Sequence, residues 1–379
     1  MKIHQQQLYK NKWKNISGSL EDGKSAQLVL VFGAAECIAE PSFYAKLKED
    51  YPVADIVISS TSGEIAGDTV FDDSAVATAI AFEKTSCKAV ITQVPEHTNS
   101  FETGRYLLKA LQTDDLSSVF IISDGTKING SELVMGFNED NHQNIPITGG
   151  LAGDAARFSR TLVGLNNAPT VGNVVAIGFY GKSLKLGHGS FGGWDEFGHE
   201  RNITKSYKNV LYEIDGRNAL DLYKEYLGPY VDELPGSALL FPLSAKLPGA
   251  QDAVVRTILS VDEKDKSMTF AGNLPEGSKV RLMKANFDKL IEGSSTAAKY
   301  SFETITGSKP DLAILISCVG RKLVLQERVD EEVEAAKEIF GEGTAITWFY
   351  SYGEISPFNP SSSCELHNQT MTITTFSEQ

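Results

Sequence analysis

The chain has 379 residues, 41% of them hydrophobic, which is enough to bury a sizeable core and long enough for two domains or one two-lobed unit. A formal charge of −14 with no Lys/Arg cluster argues against a nucleic-acid surface, which needs a basic face. No apolar run reaches the ~20 residues of a membrane helix and 1–13 is too polar for a signal sequence, so the expectation is a cytoplasmic protein with no membrane contact.

Residues 1–25 read as a polar, loosely held segment anchored by Trp13. Residues 26–32 (AQLVLVF) form a continuous apolar run of strand length, as expected for a strand buried on both faces. Pro41 opens a helix that turns Phe43, Tyr44 and Leu47 inward and stops at Tyr51-Pro52. Strands are predicted at 55–59, 75–82 and 89–94. The pattern then recurs, with a helix at 101–111, a strand at 119–123, a short helix at 131–137 and strands at 145–148, 160–165 and 174–180.

The stretch 187–198 (GHGSFGGWDEFG) has five glycines and too little patterning for a regular element, so it reads as an adaptable loop or a close backbone approach. After it, strands are predicted at 209–214, 238–243, 254–261, 267–271 and 279–283, with helices at 219–227 and 287–300. The last part runs as a strand at 312–317, a tight exit at 318–321, a helix at 330–340 and a strand at 345–350. It then breaks at 353–355 and closes with a final alternating strand after 367–370.

The order strand, helix, strand, Gly-Glu-Ile occurs twice, ending at Gly63-Glu64-Ile65 and at Gly353-Glu354-Ile355, and the segment ending at Gly149-Gly150 reads as a third copy. Such modules need crossover connections and hence parallel pairing. The fold class is therefore α/β: two lobes with mixed sheets built from repeated strand-helix-strand units flanked by helices.

Polar groups with chemical uses stand at the strand ends, where open α/β sheets gather ligands. Glu64 and Glu354 occupy equivalent turns and are expected to line one shared cleft. Cys318 ends a strand three residues before Arg321, whose guanidinium would favour a thiolate nucleophile; a small buried cysteine is the commoner outcome. Arg321 itself suits a carboxylate or propionate anchor. His367 and Asn368 precede the final strand. Of six histidines, His188 is singled out because Gly187, Gly189, Phe191 and Trp194 surround it, a setting that could accept a flat apolar cofactor. The four cysteines are far apart, with no CxxC pair, and no HExxH, P-loop or nucleophile-elbow motif is present.

Together these motifs resemble the FIST family, a sensory module with N- and C-terminal halves found in bacterial signalling proteins. The resemblance rests on Ser60-Thr61-Ser62-Gly63-Glu64-Ile65, Gly149 to Asp154, Gly193-Trp194 and Tyr212 to Gly216 in the first half. In the second half it rests on Ser317 to Arg321, Phe349 to Ile355 and His367 to Thr370. It implies an N-terminal domain at 26–214, a C-terminal domain at 215–376, and ligand sensing rather than catalysis, so no enzyme is expected. Stand-alone members that resemble this chain imply a haem b-based nitric oxide sensor regulating a separate histidine kinase or other signalling protein, and His188 is the iron ligand chosen on local chemistry. The expected ligand site is Glu64, Trp194, Cys318, Arg321, Glu354, His367 and Asn368. Two alternatives stay open: a small polar ligand such as an amino acid in place of a gas, and a cysteine-dependent enzyme using Cys318 with His367 as base.

Overall fold

The computed structural model describes residues 1–20, 23–67, 69–234, 236–305, 309–358 and 362–379. A first unit runs β1 (Lys2–Tyr9), β2 (Lys12–Gly18), β3 (Leu28–Gly33), α1 (Ala35–Ile38), α2 (Pro41–Asp50), β4 (Asp55–Ser60), β5 (Glu64–Ala66), β6 (Thr69–Phe71) and β7 (Ser74–Ala81). A second runs β8 (Ser86–Gln93), α3 (Ser100–Leu111), β9 (Leu116–Ser123), α4 (Gly130–Glu139), β10 (Ile147–Leu151), β11 (Val163–Leu165) and β12 (Asn173–Tyr180).

The third unit opens with β13 (Leu184–Phe191) and is then interrupted by an inserted sheet. That sheet comprises β14 (Asp195–Tyr207), β15 (Val210–Ile214), β16 (Arg217–Asn218), β17 (Leu243–Lys246), β18 (Val254–Arg256), β19 (Ile258–Asp262), β20 (Ser267–Phe270) and β21 (Lys279–Lys284), with α5 (Ala219–Leu227) packed on it. The unit resumes with α6 (Phe287–Glu303), β22 (Leu312–Cys318), α7 (Val319–Leu325), α8 (Val329–Phe340), β23 (Ala345–Ser351), β24 (Gly353–Pro357), β25 (Cys364–His367) and β26 (Met371–Glu378).

The α/β class with mixed sheets holds, and the repeat is threefold. Each unit supplies a parallel pair, β3/β4, β9/β10 and β22/β23, joined by a helical crossover. An antiparallel strand follows on one side, β7, β12 or β26, and a further one flanks it, β1, β8 or β13. On the other side each sheet is completed by a strand from a neighbouring unit. Strand β5 pairs with β23, β24 with β10 and β11 with β4, so the three sheets are linked in a closed cycle.

Side-chain alternation sends the apolar residues of the parallel strands to two covered faces. Leu30 and Phe32 of β3, Phe120 and Ile122 of β9, and Ile314 and Ile316 of β22 meet in one central core, where Phe32 stacks on Phe349 at 4.3 Å. The alternate residues face outward beneath helices: Val29 and Val31 under α2, Val119 and Ile121 under α3 and α4, Ala313 and Leu315 under α6 and α8. Among the described residues no helix is long and apolar enough to cross a membrane.

Several sequence expectations are corrected. Residues 2–18 are not loose but form the hairpin β1/β2, with Lys10 and Asn11 both at positive φ in its two-residue turn. The exit at 318–321 is the start of α7, residues 353–357 form strand β24, and the predicted strand at 238–243 is mostly a 3₁₀ turn over Gly236–Leu240. The glycine-rich stretch is not a loop either: it contributes to β13 and β14. Gly187 and Gly189 face α6 so closely that a Cβ would run into the carbonyls of Ser301 and Ala297. Gly189→Ala should therefore lower stability by about 1–3 kcal/mol in urea unfolding, the usual cost of overpacking. A neutral substitution would show that helix approach is not what this glycine serves.

Candidate functional site

Each parallel pair ends in a turn that combines glycine with a buried acid: Gly63-Glu64, Gly153-Asp154 and Gly353-Glu354. The two glutamates are held alike. Glu64 accepts from the Thr61 hydroxyl on one oxygen, and on the other from the Ser74 hydroxyl at 2.8 Å and the Ser74 N–H at 3.3 Å. Glu354 accepts from the Ser351 hydroxyl at 2.7 Å, the Thr370 hydroxyl at 2.9 Å and the Thr370 N–H at 3.2 Å. In the middle unit Asp154 accepts from the N–H groups of Ser159 and Arg160 at 3.1 and 2.7 Å, and the Tyr352 hydroxyl donates to its other oxygen. Each acid thus satisfies backbone or hydroxyl donors where the chain leaves its own sheet.

The three units meet at these turns. Gly153 N–H donates to the Ser60 carbonyl at 3.0 Å, Ser62 N–H to the Tyr350 carbonyl at 2.8 Å, and the Ser62 hydroxyl to the Ala155 carbonyl at 3.0 Å. A cleft of about 230 Å³ opens between them, lined by Thr61 to Glu64, Asp72, Asp73, Ala155 to Arg157, Glu36 and the cleft face of α7. The Lys322 ammonium reaches into it, donating to the Ser62 carbonyl at 2.9 Å and pairing with Asp72. At the rim Arg157 pairs with Glu36 at 3.2 Å. Gly63 has φ +137°, a backbone conformation that favours glycine, and lies directly against Lys322.

The other predicted residues lie elsewhere. Trp194, Cys318, Arg321, Glu354, His367 and Asn368 are gathered in the third unit but sealed inside it. Arg321 is not an anion anchor: it is fully buried, paired with Glu332 at 3.0 Å, and donates to the carbonyls of Leu290 at 2.6 Å and Gly192. Cys318 is not a nucleophile, because burial, and then the nearby Glu354 carboxyl, push its thiol far above the ordinary range. Nor is His367 its base. Its Nε2 donates to the Ser356 carbonyl at 2.9 Å, its ring packs edge-on against Phe358, and burial lowers its pKa to about 4. Trp194 donates to the Gln369 carbonyl at 2.8 Å. Asn368 is buried with neither amide atom partnered among the described residues. Glu64 alone of the predicted ligand residues faces the cleft.

His188 also stands apart. It lies mid-strand in β13 opposite Thr374, buried, on the face away from α6, with Nδ1 unpartnered and its pKa lowered by burial. A fixed strand between two paved faces leaves no room for a haem macrocycle at this imidazole, and neither cavity beside the turns contains a histidine. The residues present do not fit haem through His188. Among the described residues no group of three or more His, Cys, Asp or Glu side chains could hold a metal ion.

Sequence reasoning missed Lys322, Arg157, Asp72 and Asp73. Lys322 follows Arg321 directly, but on a helix successive side chains point about 100° apart, so one enters the core as the other enters the cleft. The helical phase of Val324 and Leu325, both buried, was the signal available.

Burial pushes Glu64 and Glu354 each up to about 8, although three hydrogen bonds and, for Glu64, Lys322 pull the other way. The sign follows from linkage. Between the ordinary value of 4.5 and about 8 the folded protein keeps protons that the unfolded chain has released, so these groups' stabilisation is complete at low pH and lost as pH rises through that window. The slope is up to about 1.4 kcal/mol per pH unit for each carboxyl. Glu354→Gln should flatten the fall in urea midpoint between pH 5 and 8, and an unchanged slope would mean that Glu354 is ionised when folded.

No curated protein matches the sequence. Among solved structures, a cyanuric acid hydrolase from A. caulinodans aligns over 93% of this chain and 90% of that one, at 6% identity and a TM-score of 0.36. That neighbour is a hydrolase, so the expectation of a non-enzyme is withdrawn; at that similarity it lends this chain no residue, substrate or reaction. A FIST N domain matches residues 27–217 and a FIST C domain residues 219–357. The chain belongs to the FIST family, whose domains are sensors of small ligands in signal transduction.

Proposed function

We propose that this sensor takes a small zwitterionic ligand of the amino-acid type in the cleft at the Gly63-Glu64 turn. The observation that carries the reading is a cavity of about 230 Å³ walled by all three units and lined by charges of both signs. Its volume is below the roughly 300–1,000 Å³ of sites for drug-sized molecules, which suits a compact polar ligand. A carboxylate would meet Lys322 and Arg157, and an ammonium would meet Asp72 and Asp73. Glu64, protonated by burial, leaves Lys322 as the charge nearest the turn.

The ion pairs now in the cleft are exchangeable. Arg157 and Glu36 have side chains 49% and 64% exposed, and exposed pairs contribute about 0–1 kcal/mol; in the other pair Asp72 is 68% exposed and free to turn away, while Lys322 stays in the wall at 17%. A ligand that replaces them gains more by closing the cleft to water than the protein loses by opening them. For haem-based nitric oxide sensing with a histidine kinase partner, the iron ligand chosen is His188, and its surroundings do not accommodate the group. The polar ligand is therefore the reading we favour.

Thermal-shift screening with the standard amino acids tests it. A true ligand at ~100 times its Kd should add about 2.7 kcal/mol of stability. Lys322→Ala should weaken that ligand at least about tenfold while leaving the unliganded melting temperature nearly unchanged. Stabilisation by none of the compounds, or full affinity in Lys322→Ala, would refute the site.

A further inference from the structure

A second cavity, of about 670 Å³, adjoins the cleft and shares Glu36, Asp72 and Asp73 with it. It lies between the β1/β2 hairpin, the α1–α2 corner and the turn before β7. Three of its lining residues are aromatic: Trp13 packs on Phe43 with ring centroids 5.7 Å apart, and Tyr9 is 37% exposed. An ammonium already rests on one of these rings, since Lys10 Nζ lies 5.0 Å from the Tyr9 centroid.

Charge is polarised along the combined groove. At the inner end stand Lys322 and Arg157, at the junction Glu36, Asp72 and Asp73, and at the outer end Glu40, which forms no ion pair among the described residues, with Lys10 turned onto Tyr9. Lys46, also on this wall, is engaged by Asp50. Carboxylates set among aromatic faces are the combination that recognises an organic cation.

We propose that the two cavities form one elongated site, and that the ligand is a basic amino acid or a short basic derivative of one. Its α-carboxylate lies on Lys322, its α-ammonium on Asp72 and Asp73 at the junction, and its distal ammonium or guanidinium between Trp13 and the Glu40 carboxylate. This rests on the cleft reading above and adds the side-chain class that the outer cavity selects.

Calorimetry on the full chain tests it with three probes: L-lysine, norleucine, which lacks the distal ammonium, and cadaverine, which lacks the carboxylate. L-lysine should bind at least about tenfold more tightly than norleucine, and added salt should narrow that gap. The variant Glu40→Gln keeps the side-chain size and removes the one carboxylate that belongs to the outer cavity alone. It should abolish the preference while leaving norleucine affinity unchanged, whereas Lys322→Ala should weaken both amino acids equally. Equal binding of lysine and norleucine by the wild type would overturn the outer subsite and leave the cleft standing. Cadaverine binding as tightly as lysine, indifferent to Lys322→Ala, would overturn the cleft and leave only a cation groove. Binding of none of the three would overturn both.

Discussion

Each core sheet is finished by a strand that another unit supplies, and the rest of the molecule depends on that exchange. A chain leaving one sheet to join the next crosses the ends of parallel strands, where its backbone groups have no ladder partner. Glycine at 63 permits the bend there, and at both crossings the glutamate reaches back to a hydroxyl three residues earlier and forward to the start of the next long strand. The acid is a bracket for the crossing. Because three such crossings meet at one end of the molecule, their side chains cannot all fill the junction, and a cleft remains where Lys322 and the 155–157 loop enter. The architecture and the proposed ligand site thus have one cause, in keeping with the general placement of ligands at the carboxyl ends of strands.

Arg321 and Lys322 divide the work of α7 between them. Arg321 joins α8 through Glu332, α6 through the Leu290 carbonyl, and the entry to the inserted sheet through the Gly192 carbonyl. A fully buried ion pair contributes little net stability, since desolvation offsets much of its attraction, but breaking it strands a charge and is costly. Its effect is positional. The helix that carries Lys322 to the cleft is fixed in register to three elements at once, so the ammonium projects from a rigid wall.

Much of this was legible in the sequence where local pattern and tertiary role agree. Residues 28–33, 56–58 and 312–316 are apolar because both faces are covered, and the repeated Gly-Glu-Ile marks the exchange turns. What escaped reading is non-local. The β1/β2 hairpin has polar residues and a Lys10-Asn11 turn, and its burial comes from pairing with β7 more than sixty residues away. Of the site, Glu64 could be read from its motif; Asp72 and Arg157 could not, since only the strand exchange brings a first-unit turn, a second-unit loop and a third-unit helix together.

The glycine-rich segment around His188 shows how one composition serves two opposite ends. Glycine, an aromatic residue and histidine in sequence read equally as a yielding cofactor loop or as a strand under a tightly seated helix. Periodicity does not separate them, because a residue without a side chain gives no hydropathy signal for either face. The deciding quantity is the distance between backbones, which depends on α6, about a hundred residues later. At Gly63, by contrast, the glycine makes room for a charged side chain from another unit. One kind of gap is filled by backbone; the other is lined by the Lys322 ammonium, whose partner Asp72 is exposed. That difference in what fills the space left by glycine separates the packed strand from the binding cleft.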